Sequence, residues 1–367
     1  MPLQTFVMDV DDMSMEHDHD HGHAHGSSKN NGAGINFTPL SRYAKLDTLV
    51  TVVDTFNVIN CLSSVETAKQ RQDLLGDEAE ASEEEQEQSI ANLLVDQIEF
   101  ANIILLNKID LVPGDTDEQK AATVDKVRSL CKRLNPGATI VSPPHPKFEG
   151  FDVNSVLLTG MFDMEAAQNS AGWMKELEKP EHTPETEEYG ISSFVFREKD
   201  RPFHPERLAV IIDSFGQIDL SLAGEKTEKA STEGMEIFAG IVRAKGNIWL
   251  ANADSCPMDI HVAGRAFEIN PNTDEPFLSG ALDSVAKNNW RDTFSTEFLE
   301  DQFREAEQSW QWTEESGDRS SELVCIGINM DKEAVETGLR GALLTAEEME
   351  RGKTSWKDFA DPFFDGE

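Results

Sequence analysis

The stretch ANIILLNKIDLV at residues 101–112 limits the fold of this chain more than any other. Its residues 102–106 are mainly apolar without alternation, as in a strand of a parallel sheet that helices cover on both faces. Asn107, Lys108 and Asp110 follow at once, at the strand's carboxyl end. Open α/β sheets bind ligands at this end of their strands. The stretch therefore predicts an α/β domain with a ligand site at residues 107–110.

Asn107, Lys108 and Asp110 have the spacing of the guanine-reading element of GTP-binding proteins. The Asp110 carboxylate can accept two hydrogen bonds from the guanine edge, and the Asn107 amide can serve the ring. The Lys108 stem can lie over the base. The alternative is a loop in which Asn and Asp only cap the strand. We predict that these three residues are the cofactor-binding residues that contact the guanine base.

A phosphate-binding loop of the form Gly-x-x-x-x-Gly-Lys-Ser/Thr does not occur in the 367 residues. Such a loop holds phosphates through backbone amides and a helix N-terminus. The Gly-Lys-Thr at residues 352–354 has Glu347 where the first Gly should be, and Glu225 interrupts the similar stretch at 224–227. We therefore expect a base site without a phosphate site, no catalytic residues, and neither tight GTP binding nor GTP hydrolysis.

The composition is that of a globular chain with excess negative charge. Its hydrophobic content is 38% and its formal net charge is −37, which argues against nucleic acid or a membrane as partner and favours cations. No apolar run of about 18 residues occurs, so a transmembrane helix is excluded. The acidic start lacks the basic and apolar parts of a signal peptide. Four scattered cysteines fit a reducing compartment, so we expect a cytoplasmic location.

The order of predicted elements divides the chain in two. Strands at 46–54, 102–106 and 138–141 alternate with helices at 90–98 and 117–134, which indicates a parallel sheet. After a linker at 178–190, strands predominate: 191–197, a strand–turn–strand at 237–251 with the turn at Lys245-Gly246, 258–269 and 321–329. Helices are predicted at 205–215 and 331–344, with Asp331 as N-cap of the second. This second half is predicted to be an α+β domain.

Alternating histidines mark the first part of the chain as a candidate metal site. The residues are His17, His19, His21, His23 and His25, in a biased tract that also contains glycine and aspartate. Neutral imidazoles suit zinc, copper and nickel. Because a flexible tract loses entropy when it becomes ordered, we expect weak and exchangeable metal binding. A solvated low-complexity segment without a ligand is the alternative.

Several other side chains have a structural interpretation. His204 is predicted to cap or pack at a helix start, and Asp54 to form a turn rather than contact a nucleotide-bound metal. Trp249 and Phe194 are predicted to pack in the sheet. Cys256 and Cys325 are predicted to be buried thiols.

Together the segments resemble the CobW-type P-loop GTPases, a family that includes zinc metallochaperones. The matching stretches are LDTLVTVVD, LVDQIEFANIILLNKIDLV, LNPGATIV, LLTGMFD, GISSFVFREKDRPFHPERL, GIVRAKGNIWLA, ELVCIGINM and SWKDFADPF. The Asn-Lys-x-Asp motif becomes specific in combination with RPFHPERL and RAKGNIWLA. The family also has an N-terminal P-loop and a Cys-x-Cys-Cys metal motif, and this sequence contains neither.

The resemblance implies a partial, doubly wound parallel sheet, a truncated P-loop GTPase domain, followed by a smaller α+β C-terminal domain. The expected boundaries are 1–36 for the acidic, His-rich flexible segment, 37–177 for the partial GTPase domain with an acidic insert at about 66–90, 178–190 for the linker, and 191–367 for the CobW C-terminal domain. We expect the chain to begin partway through the family protein.

The resemblance further implies GTP and magnesium as cofactors of the intact family protein, zinc or a similar divalent metal as cargo, and a client metalloprotein as partner. The predicted function is therefore that of a CobW-like, GTP-dependent metallochaperone for metal insertion or homeostasis. The alternative is a non-enzymatic module that buffers metal or docks a protein. A nucleotide-binding assay separates the two.

Overall fold

The computed structural model describes residues 44–70, 88–143, 148–163, 171–177, 190–215, 236–279, 304, 306 and 308–364. The first half contains strands and helices in alternation. They are β1 (Val50–Asp54), α1 (Val58–Leu62), α2 (Ile90–Glu99), β2 (Ile103–Asn107), α3 (Asp117–Leu134), β3 (Thr139–Val141) and α4 (Gly172–Leu177). Short 3-10 turns lie at Ala68–Gln70 and Val153–Ser155. The predicted strands and helices of this half are confirmed.

β2 lies between β1 and β3 in a sheet whose described strands are all parallel. Its four residues 103–106 are buried, and Ile104 and Leu106 pack in one cluster with core residues of α2 and α3. On the other face, Val50 and Val52 of β1 pair with Ile103 and Leu105 and are 38% and 52% exposed. Two capped helices flank the strand. The Ser89 hydroxyl accepts a hydrogen bond from the Asn92 amide at the start of α2, and the Thr116 hydroxyl accepts one from the Gln119 amide at the start of α3. The predicted α/β character of this half is thereby confirmed.

The second half forms an antiparallel sheet of the described strands in the order β4-β8-β5-β6-β7. The strands are β4 (Ile191–Glu198), β5 (Ile241–Leu250), β6 (Ala253–Ala263), β7 (Ala266–Pro271) and β8 (Ser321–Ile328). The helices are α5 (Pro205–Ile212), α6 (Lys332–Gly341), α7 (Ala346–Arg351) and α8 (Lys353–Trp356), and a 3-10 turn lies at Glu236–Phe238. The Asp331 side chain caps α6 by accepting from the Ala334 amide at 3.0 Å, as predicted.

The predicted turn at Lys245-Gly246 is wrong, because β5 passes through both residues without a break. The chain turns instead at residues 251–252, between β5 and β6. A Cβ on Gly246 would lie 2.0 Å from the Glu322 carbonyl oxygen of the paired strand β8. This glycine therefore permits the close approach of a neighbouring backbone, which is the other common reason for glycine in a strand. The strand predicted at 258–269 is likewise two strands, which turn at Gly264 and Arg265.

The two halves share one apolar core. Ile191, Val242, Ala263, Ile326 and Ile328 of the antiparallel sheet belong to the same buried cluster as core residues of β1, α2 and α3. A second cluster on the sheet's other face packs against α5 and α6. The antiparallel sheet is thus covered on both faces, one of them by the first half of the chain. The domain boundaries stay a prediction, and most of the linker lies outside the described residues.

A buried ion pair joins the two halves beside this core. Arg243 of β5 is fully buried and donates to both oxygens of Glu99 at the end of α2, at 2.8 and 2.7 Å. This bidentate geometry is that of an ionised carboxylate. Burial raises the pKa of Glu99, and the Arg243 cation opposes that shift. Burial, followed by the charges of Arg243 and Lys245, lowers the pKa of nearby His261 to about 3, so its imidazole is neutral.

Asn135 connects α2 to the strand that carries the predicted site. It is fully buried, and its amide nitrogen donates to the carbonyl oxygens of Ile98, Glu99 and Ala101 at 2.8–3.0 Å. Its side-chain oxygen accepts from the amides of residues 137 and 138 before β3. The end of α2 and the starts of β2 and β3 are therefore held together by one side chain.

Among the described residues, no helix combines the length and the apolar character needed to cross a bilayer.

Candidate functional site

The predicted site lies where β1 and β2 end side by side. The parallel register pairs Asp54, the last residue of β1, with Asn107, the last residue of β2. The Thr55 amide donates to the Asn107 carbonyl oxygen at 3.0 Å and extends the pairing by one residue. Parallel strands end at one edge of a sheet, which is the usual ligand edge of such folds. The sequence placed Asn107 there, and the register adds Asp54.

The loop after β2 turns sharply at Lys108. This residue has a φ of 56°, which lies in the left-handed region. Its amide donates to the Asn107 side-chain oxygen at 2.8 Å, and its carbonyl oxygen accepts from the Leu111 amide at 3.1 Å. The turn leaves Lys108 and Asp110 exposed. Because the Asp110 carboxylate has no hydrogen-bond partner in the described part of the chain, both of its oxygens can accept from a ligand.

Asp54 is the polar centre of the site. Its Oδ2 accepts from Lys108 Nζ at 2.7 Å and from Asn57 Nδ2 at 2.8 Å, and its Oδ1 accepts from the amides of residues 56 and 57. Partial burial acts to raise the pKa of Asp54, but the bonds from Lys108 and Asn57 outweigh it and lower the pKa. Asp54 is thus ionised at neutral pH, and it forms the turn that the sequence predicted.

The pairing of Lys108 with Asp54 is the feature of the site that sequence reasoning missed. The sequence assigned the Lys108 stem to the face of a base, whereas the structure directs its ammonium group to a neighbouring strand end. The signal was present, since a strand that ends in Asp precedes the strand that ends in Asn107. The pair is partly exposed, so a ligand can compete for Lys108 at low energetic cost.

The residues at the amino ends of β1 and β2, opposite the predicted site, have a structural role. The Asp47 carboxylate accepts from the amides of Thr159 and Gly160 at 2.9 and 2.7 Å. Its hydrogen bond from Thr48 is the largest of the causes that lower its pKa. Asn102 accepts from the Leu49 amide at 2.9 Å and donates to a carbonyl oxygen of the same loop. These bonds hold the stretch LLTGMFD against the starts of β1 and β2.

The described residues at the end of β2 offer hydrogen-bond acceptors and a lysine. Asp110 contributes exposed acceptor oxygens, and the Lys108 ammonium group donates to Asp54 at 2.7 Å. No glycine-rich loop follows β1, β2 or β3 in the described ranges. The segment 144–147 after β3 lies outside those ranges.

The predicted metal-binding histidines at 17–25 lie outside the described residues. Within the described ranges, no three His, Cys, Asp or Glu side chains stand close enough to hold a metal ion. His204 packs against Phe359 with ring centroids 4.3 Å apart, and burial lowers its pKa, as does Arg207. The prediction that it packs is confirmed. Trp249, Phe194 and Cys325 are buried as predicted, whereas Cys256 is only half-buried and that prediction is wrong.

Comparison with known proteins gives two family matches. Residues 33–142 match the model of the CobW/HypB/UreG nucleotide-binding domain, and residues 191–343 match that of the cobalamin synthesis protein CobW C-terminal domain. The chain is also 32% identical over 324 residues to zinc-regulated GTPase metalloprotein activator 1 of Dictyostelium discoideum. That match covers 88% of this chain and 57% of the relative, so the chain spans little more than half of the relative's length.

The structure also resembles the crystal structure of Zn(II)-bound YjiA GTPase from E. coli and that of a triple mutant of the same GTPase. In both cases the identity is 16% and the TM-score is 0.27, with 83% of this chain and 63% of the other covered. This likeness is too low for a structural argument. The two family matches follow the order of the two halves along the chain.

Proposed function

This chain belongs to the CobW family of nucleotide-binding proteins, and we propose that it acts as a GTP-dependent metallochaperone. Its proposed role is to deliver zinc or a similar divalent metal to a client metalloprotein. The observation that carries the proposal is the loop at residues 107–110 at the ligand edge of β2. The printed name of the Dictyostelium relative, a zinc-regulated GTPase metalloprotein activator, supports the choice of metal and of partner.

In the proposed site, the exposed Asp110 carboxylate accepts two hydrogen bonds from the guanine edge, and Asn107 orients the ring. Lys108 leaves Asp54 to lie over the base, so base binding disrupts the bond across the strand ends. The GTP and magnesium of a complete family protein would supply phosphoryl transfer to water, which depends on positioning and charge neutralisation. We infer that the 367 residues supply the base contacts and that phosphate binding requires a loop they lack.

A structural change caused by nucleotide binding could pass from β2 to the second half of the molecule through directly bonded elements. β2 follows α2 directly, Asn135 holds the end of α2, and Arg243 binds Glu99 from the antiparallel sheet. We propose that a change at the carboxyl end of β2 is transmitted along the strand to its start, and from there to the antiparallel sheet that shares its core. In this proposal, that connection links the nucleotide to the release of metal.

We expect guanosine and GTP to bind the 367-residue chain with affinities within about fivefold of each other. The base contacts are common to both ligands, and no phosphate-binding loop distinguishes them. Asp110→Asn should shift the preference from guanosine to xanthosine, because an amide can donate to the xanthine carbonyl oxygen. Isothermal titration of each nucleoside and of GTP measures both effects.

The control for this titration is Asp115→Asn, an exposed residue beyond the loop that should leave the preference unchanged. Micromolar GTP binding together with undetectable guanosine binding would reveal a phosphate site. It would contradict the inference that these 367 residues contact only the base. Adenosine binding equal to that of guanosine would reject the assignment of the base-reading residues.

We further propose that His17, His19, His21, His23 and His25 bind zinc weakly and reversibly as a reservoir. Affinity should fall below about pH 6, because imidazoles with a pKa of roughly 6.5 become protonated and lose their lone pairs. Calorimetry with all five histidines replaced by alanine tests this, and His182→Ala is the control. Unchanged zinc uptake by the five-histidine variant would exclude the role.

A second candidate function is a non-enzymatic module that buffers metal or docks a protein. It is favoured by the absence of a phosphate-binding pattern from the 367 residues. The nucleoside titration separates the two candidates, since the module requires no base selectivity.

A further inference from the structure

A cleft of about 1180 Å³ lies between the two halves of the molecule. Val65 and Gln88 of the nucleotide-binding half form one wall. Ile212 at the end of α5, Phe215 in the turn after it and Phe363 belong to the opposite half. The cleft is therefore lined by both halves and does not include residues 107–110.

The cleft runs along the edge of β7. Phe267, Glu268, Ile269 and Asn270 all line it, although successive side chains of a strand point to opposite faces. Four consecutive residues can face one cleft only where it follows the strand's edge. β6 occupies the other edge of β7, and no described strand pairs with the edge at the cleft. Such an edge presents a row of backbone donors and acceptors to an incoming strand.

The side chains beside this edge alternate in character. Phe267 and Ile269 are partly buried and pack against the apolar cluster of the antiparallel sheet, and Phe267 also contacts Phe363 at 6.2 Å between ring centroids. Glu268 and Asn270 are exposed on the other face. The edge thus offers an apolar row on one face and a polar row on the other.

The charge around the cleft is negative. Glu268 accepts a hydrogen bond from the side-chain nitrogen Nδ2 of Asn92 at 2.6 Å, and this partner carries no charge. Asp213 also lines the cleft, and Arg265 is the cation among the lining residues. The chain as a whole has 69 acidic and 32 basic residues.

We propose that the cleft binds an extended segment of a partner protein, with alternating apolar and basic residues, as an added strand on β7. Main-chain hydrogen bonds to the free edge provide affinity, and alternate side chains provide specificity. Apolar residues of the segment pack over Phe267 and Ile269, and basic residues face Glu268. Because Val65 also lines the cleft, the bound segment contacts both halves.

The chain's own residues 217–222, which follow Phe215 and lie outside the described residues, are the competing occupant. They also alternate, with Ile218, Leu220 and Leu222, but the charged residue among them is Asp219. An acidic residue beside Glu268 would be repelled. Charge complementarity therefore favours a basic segment from another protein.

The probe is a labelled eight-residue peptide of alternating lysine and valine, titrated by fluorescence anisotropy at low salt without nucleotide. Glu268→Lys in the full chain should weaken binding at least tenfold. Glu350→Lys, which makes the same charge change at an exposed site away from the cleft, should weaken it less than twofold. Val65→Ser should weaken binding at least threefold, while Val210→Ser, an exposed valine of α5 outside the cleft, should not.

A peptide with its two central valines replaced by proline should bind at least tenfold more weakly, because proline cannot donate to a strand ladder. Equal binding of the two peptides, or equal effects of the two lysine variants, would show non-specific electrostatic adsorption and overturn the proposal. Binding that appears only when Ile218, Leu220 and Leu222 are changed to serine would also overturn it, since the chain itself would fill the cleft. No outcome depends on the guanine site.

Discussion

Replacement of Arg243 by alanine is expected to lower the free energy of unfolding by about 3–5 kcal/mol. Arg243 is fully buried, and its two bonds to Glu99 compensate a carboxylate that is itself only 3% exposed. The alanine variant removes the guanidinium group that holds both oxygens of this buried carboxylate, at the junction of the two halves. Urea denaturation of the full chain, followed by tryptophan fluorescence, measures the loss.

Two further variants show whether the loss of the bond between Arg243 and Glu99 is the cause. Arg243→Met combined with Glu99→Met should recover most of the loss, because apolar side chains of similar volume can replace a buried ion pair. Arg128→Ala, which breaks a partly exposed pair with Asp125, should cost no more than about 1 kcal/mol. A loss below about 1 kcal/mol for Arg243→Ala would mean that the pair contributes little to the junction.

Gly264→Ala is the second change with a large expected effect, a loss of more than about 3 kcal/mol. Gly264 has a φ of 56°, and a Cβ there would lie 1.8 Å from the Leu62 carbonyl oxygen of the other half. The same turn donates from the Arg265 amide to that oxygen at 3.2 Å. The methyl group would therefore force the two backbones apart, and thermal denaturation should detect the loss.

Gly160→Ala is the matched control for this variant. Gly160 has a similar φ of 63°, but an added Cβ would have no neighbour within 4 Å. Its cost should stay near the 1–2 kcal/mol of a left-handed non-glycine residue. The difference between the two variants isolates the backbone clash. Equal losses would show that conformational strain alone determines both effects.

The secondary structure of the first half was predictable because local signals agreed with one another. The helix at Asp117–Leu134 has an N-cap threonine, acidic residues in its first turn and basic residues in its last. The continuous apolar run of β2 indicated a strand buried on both faces. Each signal acts within a few residues, so the sequence alone was sufficient.

The mistaken turn at Lys245-Gly246 shows the limit of such signals. Glycine after a charged residue favours a turn when only local propensity is considered. Here the reason for the glycine is the Glu322 carbonyl oxygen, which is 76 positions away in the sequence. A close contact between distant strands leaves no local mark that separates it from a turn.

The candidate site was predictable in part for the same reason. Asn107, Lys108 and Asp110 are neighbours in sequence, so their spacing alone predicts a base-reading loop. The bond from Lys108 to Asp54 depends on the parallel register of two strands, and it required the structure.

The sequence by itself determined the family, the parallel and antiparallel halves and the loop at residues 107–110. These depend on apolar periodicity, capping residues and motifs whose parts lie close together in the chain. Only the tertiary structure decided the ion pair of Arg243 with Glu99, the contact of Gly264 with Leu62 and the open edge of β7. Each of these depends on the packing of segments separated by many residues, and the free energy of that packing is not encoded in any single segment.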